Sequence, residues 1–319
     1  PRRYALGAIL ARAAVAAGAE LRYGVGCQGL VTDANGRVTG VRLRNAKGAD
    51  ETLPTSLVIG ADGRRSSVAR LAGARTIKES RHASAVLYAY VEGAANQGYR
   101  WYWDKGAAGG LIPTNDRQSC AFVALPSARA HELRRKDPSD LAALARALLP
   151  QMAIELDETR PVSPLTLYAG QIGRVREPTG PGWALVGDAG HFKDPISAHG
   201  ISDELRDAEI LARAIVAGRL EDYPPLRKAL SGAFFEITDQ MASFAWSLGE
   251  IAALHRTLHA EMKPEQAWLA SLDGPNMRAG ALPPTHAWAH YERTSRPSRA
   301  LEASAQSREL KMTKSMYEK

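Results

Sequence analysis

Residues 183–203 read WALVGDAGHFKDPISAHGISD, and this stretch decides the predicted fold. Trp183–Val186 is a short apolar strand, and Asp188 follows it at once. Because ligands of open α/β sheets bind beyond the carboxyl ends of the strands, the Asp188 carboxylate is placed to accept hydrogen bonds from sugar-alcohol hydroxyls. Pro195 stiffens the next loop, and the helix predicted from Gly200 directs free N–H groups and its positive dipole end toward an electron-rich ring oxygen. The alternative is an ordinary strand–turn–helix with a capping Ser or Asp, but the whole stretch favours a ligand site.

The same order of strand, turn and helix occurs nearer the N-terminus. Ser56–Ile59 is a compact apolar strand, which continues into Gly-Ala-Asp-Gly at residues 60–63 and a helix near Ser66–Leu71. Both strands end in an aspartate at a ligand-facing edge. We therefore expect Leu57–Asp62 and Ala184–Asp188 to lie in one α/β layer.

The rest of the chain surrounds this layer. Hydrophobic periodicity and turn residues predict further elements: a helix at Arg3–Ala17, a hairpin closed by Asn35 and Gly36, antiparallel strands at Ala85–Val91, Tyr99–Trp103 and Ser119–Leu125, a long helix at Gly200–Ala217, and mostly helical sequence from Tyr223 to about Leu272. The sequence thus predicts an α/β (α+β) fold in which an α/β domain is interrupted by an antiparallel sheet.

The composition is that of a globular protein, with 45% hydrophobic and 24% charged residues. No apolar run reaches the roughly 20 residues that cross a bilayer, and no secretory signal pattern is present, so we expect no membrane span and a cytoplasmic location. Cys27 and Cys120 form neither a disulfide framework nor a metal-ligand spacing. The net charge is +7, but the basic residues are dispersed along the chain and intermixed with 34 acidic residues. Nucleic acid is therefore not a predicted partner.

Three other patterns carry less information. Gly24–Gly29 matches GxGxxG by letter, but a hairpin strand follows it instead of the helix that a dinucleotide site requires, so we reject it. Trp101 and Trp103 form either a substrate wall or ordinary sheet packing. His255 and His259 share a helix face without a third metal ligand, and we interpret them as helix surface.

Three stretches, which come in the family's order and at its spacing, resemble the group A flavoprotein monooxygenases, whose typical members are aromatic hydroxylases. The second FAD fingerprint of that family, approximately GDAAHxxxPxxGQGxNxxxxDA, is similar to GDAGHFKDPISAHGISDELRDA at residues 187–208. The middle fingerprint, GADGxxSxVR, is similar to GADGRRSSVAR at residues 60–70, and the RxxL helix start is similar to RYAL at residues 3–6. The resemblance covers about residues 1–222.

The resemblance implies roles for particular residues. It implies that Asp188, with Gly187, binds the ribityl or ribose hydroxyls of FAD, and that Arg3 lies near the pyrophosphate or ribityl chain. It also implies that the backbone of Cys27 meets the adenine and that Asp62 organises the FAD pocket. The residues that it places against the isoalloxazine ring are Pro195, Gly200, Ile201 and Ser202.

The chain also departs from the family pattern. Ala198 and His199 replace the usual Gly-Gln, Ser202 replaces Asn, and Glu204 stands where a small residue is common. Glu204 would crowd the start of the helix and repel a phosphate. The family begins with a strand, a GxGxxG turn and a helix ahead of RxxL, and this chain begins at Pro1, so we expect an N-terminally truncated FAD-binding domain that lacks its first βαβ unit.

The resemblance implies an enzyme, a FAD-dependent oxidoreductase. The main hypothesis is a monooxygenase that uses NAD(P)H and O2 on a small organic, possibly aromatic, substrate. The alternatives are a reductase of the geranylgeranyl reductase type, a halogenase-like enzyme, or, in another class, a non-catalytic remnant that does not bind FAD alone. The predicted domains are an incomplete Rossmann-like FAD-binding domain at 1–77 and 166–222, a β-sheet substrate domain at 78–165, and a helical C-terminal region and tail at 223–319. No catalytic side chain and no metal site is predicted.

Overall fold

A computed structural model describes residues 2–130 and 141–272. Its helices, numbered in chain order, are α1 (Arg3–Ala16), α2 (Ser67–Leu71), α3 (Leu141–Leu148), α4 (Pro150–Leu156), α5 (Gly200–Val216), α6 (Tyr223–Ala242) and α7 (Leu248–Leu272). Its strands are β1 (Val25–Thr32), β2 (Val38–Asn45), β3 (Asp50–Pro54), β4 (Val58–Gly60), β5 (Thr76–Glu79), β6 (Ser84–Glu92), β7 (Arg100–Asp104), β8 (Ala107–Pro113), β9 (Ser119–Pro126), β10 (Arg160–Pro161), β11 (Thr166–Tyr168), β12 (Arg174–Arg176), β13 (Thr179–Gly180), β14 (Trp183–Leu185) and β15 (His191–Phe192). The mixture of helices and sheets confirms the predicted α/β (α+β) class, while the predicted tail beyond residue 272 lies outside the described residues.

Strands β4 and β14 form the parallel pair that carries the candidate site. Trp183 pairs with Val58 and Leu185 pairs with Gly60, so two segments that are far apart in sequence end at the same edge of a sheet. A Cβ on Gly60 would lie 2.7 Å from Leu185 Cδ2 and 2.9 Å from Val68 Cβ, so the close packing between β4, β14 and α2 requires glycine here. The predicted α/β layer is confirmed by this pairing.

Strands β1, β2 and β3 form an antiparallel meander. Gly36 in the turn between β1 and β2 has a φ of 76°, a conformation that glycine adopts without a steric penalty. The Asp33 carboxylate accepts hydrogen bonds from the N–H groups of Asn35 and Arg37, each at 2.9 Å. The predicted hairpin is confirmed. Because Val25–Thr32 is a strand that leads into this turn, the rejection of the GxGxxG match is confirmed as well.

A six-stranded antiparallel sheet has the order β10-β6-β9-β8-β7, with β11 also pairing with β6. One face packs on α3 and α4 in a core that contains Leu87, Leu111 and Met152. The other face packs on α6 and α7 in a core that contains Ala124 and Phe234. Helices therefore cover both faces of the sheet.

Strand β8 was not predicted from the sequence. It reads AAGGLIP, and its two glycines do not favour a strand by local propensity. A Cβ on Gly109 would lie 2.6 Å from Leu149 Cδ1, and a Cβ on Gly110 would lie 2.7 Å from Phe122 Cε1. The glycines are needed because bulky neighbours press on both faces of this strand, which the local pattern does not reveal.

Helices α5 and α6 pack beneath the parallel pair, with Ala184, Ile210 and Leu230 in their shared core. The Tyr223 hydroxyl donates a hydrogen bond to the Leu185 carbonyl at 2.9 Å, which ties the start of α6 to β14. The long helix predicted from Gly200 is present as α5. Within the described residues, no helix is long and apolar enough to cross a membrane. The predicted domain boundaries stay a prediction.

Candidate functional site

Asp188 stands in a short 3-10 turn, Gly187–Ala189, that follows β14. Gly187 has a φ of 58°, and a Cβ there would lie 2.8 Å from Glu204 Cγ, so glycine lets the turn approach α5 closely. The Asp188 side chain is half-buried. Burial raises the pKa of Asp188, and the nearby Arg3 guanidinium opposes that rise. The turn therefore holds a hydrogen-bond acceptor at the carboxyl end of β14.

Asp194 fixes the loop that leads from this turn to α5. Its carboxylate accepts hydrogen bonds from the Ser84 N–H at 2.6 Å, the Ser84 hydroxyl at 2.5 Å and the Ile196 N–H at 3.0 Å. Burial raises the pKa of Asp194 to about 6, although these hydrogen bonds favour the ionised form. Pro195 opens the short 3-10 turn that Asp194 caps. The loop is thereby attached to β6.

Helix α5 begins at Gly200 without a side-chain cap. His199 is the N-cap residue and makes no side-chain capping hydrogen bond, and Ala198 before it has a left-handed φ of 50°. The N–H groups of Gly200, Ile201 and Ser202 therefore have no acceptor within the helix. A Cβ on Gly200 would meet no atom within 4 Å, so there is space beside this turn. The N–H groups and the positive end of the helix dipole favour an electron-rich oxygen here.

Arg3 connects the first helix to this site. Its Nη2 lies 3.9 Å from Glu204 Oε1 in the first turns of α5, although the Arg3 side chain is 79% exposed. Burial raises the pKa of Glu204, the neighbouring Asp188 raises it further, and Arg3 opposes both effects. The structure thus brings Arg3, Gly187, Asp188 and the first turn of α5 together. The Arg3 charge thus opposes that of Glu204 at the start of α5.

Asp62 and Cys27 make local contacts. The Asp62 carboxylate accepts hydrogen bonds from the Ser66 hydroxyl at 2.5 Å and from the N–H groups of Ser67 at 2.6 Å and Val68 at 3.2 Å. Asp62 therefore holds the start of α2 and shapes the chain after β4. Cys27 lies on β1, where it pairs with β2, and none of the described contacts joins it to the turn after β14.

Tyr168, on β11, is a residue of this region that sequence reasoning missed. Its hydroxyl is buried and has no hydrogen-bond partner among the described residues. Burial raises the pKa of Tyr168, Asp194 and Asp188 raise it further, and Arg64, whose guanidinium lies 5.0 Å from the ring centroid, lowers it. A buried hydroxyl without a hydrogen-bond partner lowers the free energy of unfolding, and a bound ligand can supply the missing partner. Tyr168 and Arg64 thus add hydrogen-bond donors to the region around Asp188.

A buried charge network, also missed from the sequence, lies under the first turns of α5. Lys193 forms an ion pair with Asp203, and Arg206 Nη1 lies 2.6 Å from Asp203 Oδ1. Arg206 Nη2 lies 2.9 Å from Asp207 Oδ1. Burial alone would raise the pKa of Asp203, but Lys193 and Arg206 hold it well below its ordinary value. The i,i+3 spacing of Asp203 and Arg206 is a local signal for one pair, whereas Lys193 joins only through the folded loop.

The model of the FAD binding domain family matches residues 4–219. A digeranylgeranylglycerophospholipid reductase from Methanocella arvoryzae is 28% identical over 238 residues, which cover 73% of this chain and 58% of that protein. A menaquinone reductase from Mycolicibacterium smegmatis is 25% identical over 233 residues, which cover 65% of this chain and 51% of that protein. The chain thus spans little more than half the length of these two relatives.

Among solved structures, the flavin-dependent brominase Bmp2 has a TM-score of 0.68 to this chain at 16% identity. The similarity covers 96% of this chain and 76% of the brominase. At this level of identity the comparison shows a shared fold.

Proposed function

The chain belongs to the FAD binding domain family, and from this premise we propose that it is a FAD-dependent oxidoreductase acting on a small organic substrate. One observation carries the proposal. The half-buried Asp188 carboxylate follows β14 in a turn that packs closely against α5, and the first turn of α5 has no side-chain cap.

The residues of this chain would divide the binding of FAD among them. Asp188 would accept hydrogen bonds from ribityl or ribose hydroxyls, and the N–H groups of Gly200, Ile201 and Ser202 would donate to the oxygen at the pyrimidine edge of the ring. Pro195 and Gly187 would keep the two loops close to the cofactor. Arg3 would lie near the pyrophosphate or the ribityl chain, Asp62 would shape the pocket through α2, and the backbone of Cys27 would meet the adenine. When bound, FAD supplies electron transfer between a reductant and the substrate.

Within this class, we propose a monooxygenase that takes electrons from NAD(P)H, uses O2 and works in the cytoplasm. The support is the resemblance of residues 60–70 and 187–208 to the monooxygenase fingerprints. A second candidate is a reductase of double bonds in a prenyl chain, and the 28% identity to a digeranylgeranylglycerophospholipid reductase supports it. A halogenase-like enzyme is supported by fold alone.

The experiment is a fluorescence titration with FAD, followed by an assay of NAD(P)H and O2 consumption. We expect Asp188→Asn to weaken FAD binding by about tenfold, because a charge-assisted hydrogen bond to a hydroxyl is lost. The matched control is Asp50→Asn, which removes only a surface ion pair to Arg44 on the β1–β3 meander. Equal FAD affinity in Asp188→Asn and wild type would contradict the proposed site. A chain that binds no FAD and oxidises no NAD(P)H would favour the non-catalytic alternative.

Consumption of O2 in step with substrate would favour the monooxygenase over the reductase. A reductase would instead consume NAD(P)H together with a prenyl substrate under anaerobic conditions. The two candidates therefore differ in one measurable requirement.

A further inference from the structure

A cavity of about 270 Å³ lies on the side of the Pro195–Ser197 turn that faces the antiparallel sheet. Side chains from β7, from this turn and from α7 line it: Trp101, Trp103, Ile196, Ser197, His255 and Leu258. The volume lies just below the range of roughly 300–1,000 Å³ that is typical of small-molecule sites. The same loop that leads to the uncapped turn of α5 therefore also forms a wall of a small cavity.

The two indoles give this cavity an aromatic wall. Trp101 and Trp103 alternate with Tyr102 along β7 and so project to the same face of the sheet. Their ring centroids are 6.3 Å apart and their planes differ by 16°. Trp101 packs edge-on against Phe122 at 5.4 Å, and Trp103 packs edge-on against Trp246 at 5.6 Å. The indoles are held in place by these contacts, and Trp101 keeps 36% of its surface exposed for a ligand.

His255 supplies the polar group of the cavity. Its ring centroid lies 4.6 Å from that of Trp103, and its Nε2 is buried without a hydrogen-bond partner among the described residues. Burial lowers the pKa of His255, so the imidazole is neutral at neutral pH. The interpretation of His255 as helix surface was therefore wrong, because Trp103 of β7 packs over it. His259, one turn further along α7, is exposed as expected.

The described residues that line the cavity carry no charged side chain. A carboxylate or ammonium group would lose its hydration there without gaining an ion pair, whereas a neutral ring would bury apolar surface against the indoles. A single polar group on that ring would form a hydrogen bond with the imidazole nitrogen. Without such a partner, the buried nitrogen lowers the stability of the fold.

We propose that this cavity is the substrate site, that it takes a neutral, flat, largely apolar molecule carrying one hydroxyl, amine or carbonyl group, and that His255 positions this molecule by a hydrogen bond to that group. The description of the occupant as the substrate rests on the proposed function. The chemistry of the cavity rests on the side chains of Trp101, Trp103 and His255 alone.

The test compares two probes of nearly equal shape, 2-naphthol and 2-methylnaphthalene, in equilibrium dialysis against the full 319-residue chain. We expect wild type to prefer 2-naphthol. In His255→Phe, which keeps an aromatic ring against Trp103, 2-naphthol should bind about three- to tenfold more weakly because one hydrogen bond is lost. The same substitution should leave 2-methylnaphthalene within about twofold of wild type, because its apolar contacts remain.

His259→Phe is the matched control, since it makes the same substitution on the exposed face of the same helix, and it should leave both affinities unchanged. Trp101→Leu should weaken both probes alike, which tests the wall separately from the polar group. Circular dichroism and thermal unfolding verify that each variant is folded.

Three results would overturn the proposal: a preference for 2-naphthol that survives in His255→Phe, an equal loss in His259→Phe, or no measurable binding of either probe to wild type. A FAD titration of the same wild-type sample separates this proposal from the proposed function. Binding of 2-naphthol through His255 without binding of FAD would contradict the proposed function while supporting the chemistry of the cavity.

Discussion

Asp194 offers a sharp test of how the loop before α5 is built. The side chain is 3% exposed, and burial raises its pKa from 3.8 to about 6. Because the pKa is higher in the folded than in the unfolded chain, the stability linked to Asp194 is fully present below the unfolded pKa of 3.8 and is lost as the pH rises through about 6. With a pKa of 3.8 in the unfolded chain and about 6 in the folded chain, proton linkage lowers the free energy of unfolding by about 1.4 kcal/mol between about pH 5 and pH 8.

The perturbation is Asp194→Asn, which keeps one oxygen to accept from the Ser84 N–H but loses the second acceptor, which receives the Ile196 N–H, and does not titrate. The free energy of unfolding of wild type minus that of Asp194→Asn should therefore decrease by about 1.4 kcal/mol from about pH 5 to pH 8. Other titrating groups, such as the fully buried His191, contribute equally to both proteins and cancel in this difference.

The assay is urea unfolding followed by tryptophan fluorescence at the two pH values. Asp50→Asn is the control: its hydrogen bond from Arg44 lowers the pKa of Asp50, so this carboxylate is ionised in both the folded and the unfolded chain at about pH 5 and pH 8, and its removal should leave the pH dependence between these values unchanged. If wild type and Asp194→Asn show the same pH dependence of the free energy of unfolding, Asp194 ionises as freely as in the unfolded chain. That result would refute the conclusion that burial raises the pKa of the Asp194 carboxylate.

Two further predictions concern packing and the buried hydroxyl. Gly60→Ala should lower the free energy of unfolding by about 1–3 kcal/mol, because its Cβ would lie 2.7 Å from Leu185 Cδ2. Gly7→Ala on exposed α1, where a Cβ would meet nothing within 4 Å, should raise it by about 0.5–1 kcal/mol in the same urea assay, and a loss equal to that of Gly60→Ala would contradict the packing argument. Tyr168→Phe should leave the free energy of unfolding unchanged or slightly higher but weaken FAD binding about three- to tenfold in a fluorescence titration. Unchanged FAD affinity in Tyr168→Phe would show that its hydroxyl does not face the cofactor.

The features that depend on short stretches of chain could be predicted from the sequence. Asn35 and Gly36 specify their turn through backbone preferences that act within a few residues. The turn at Asp188 and the long helix from Gly200 follow from an apolar strand, a glycine-rich turn and a 3.6-residue period. The fingerprints indicated a FAD-binding family, and the match over residues 4–219 confirms that family.

The features that depend on distant packing could not be predicted. The residues of β8 have a low local propensity for a strand. Its two glycines are explained only by the side chains of Leu149 and Phe122, which pack beside them in the folded chain. The environments of Tyr168 and Lys193 depend on charged neighbours that only the folded chain brings close to them. His255 looks like helix surface in the sequence, because the indole that covers it stands on a strand about 150 residues earlier.

The most direct test of the central claim is a crystal structure of this chain with bound FAD. We expect the Asp188 carboxylate to accept hydrogen bonds from ribityl or ribose hydroxyls, and the N–H groups of Gly200, Ile201 and Ser202 to face the pyrimidine edge of the isoalloxazine ring. An isoalloxazine ring bound elsewhere, with no cofactor atom within hydrogen-bond distance of Asp188 or the first turn of α5, would contradict it.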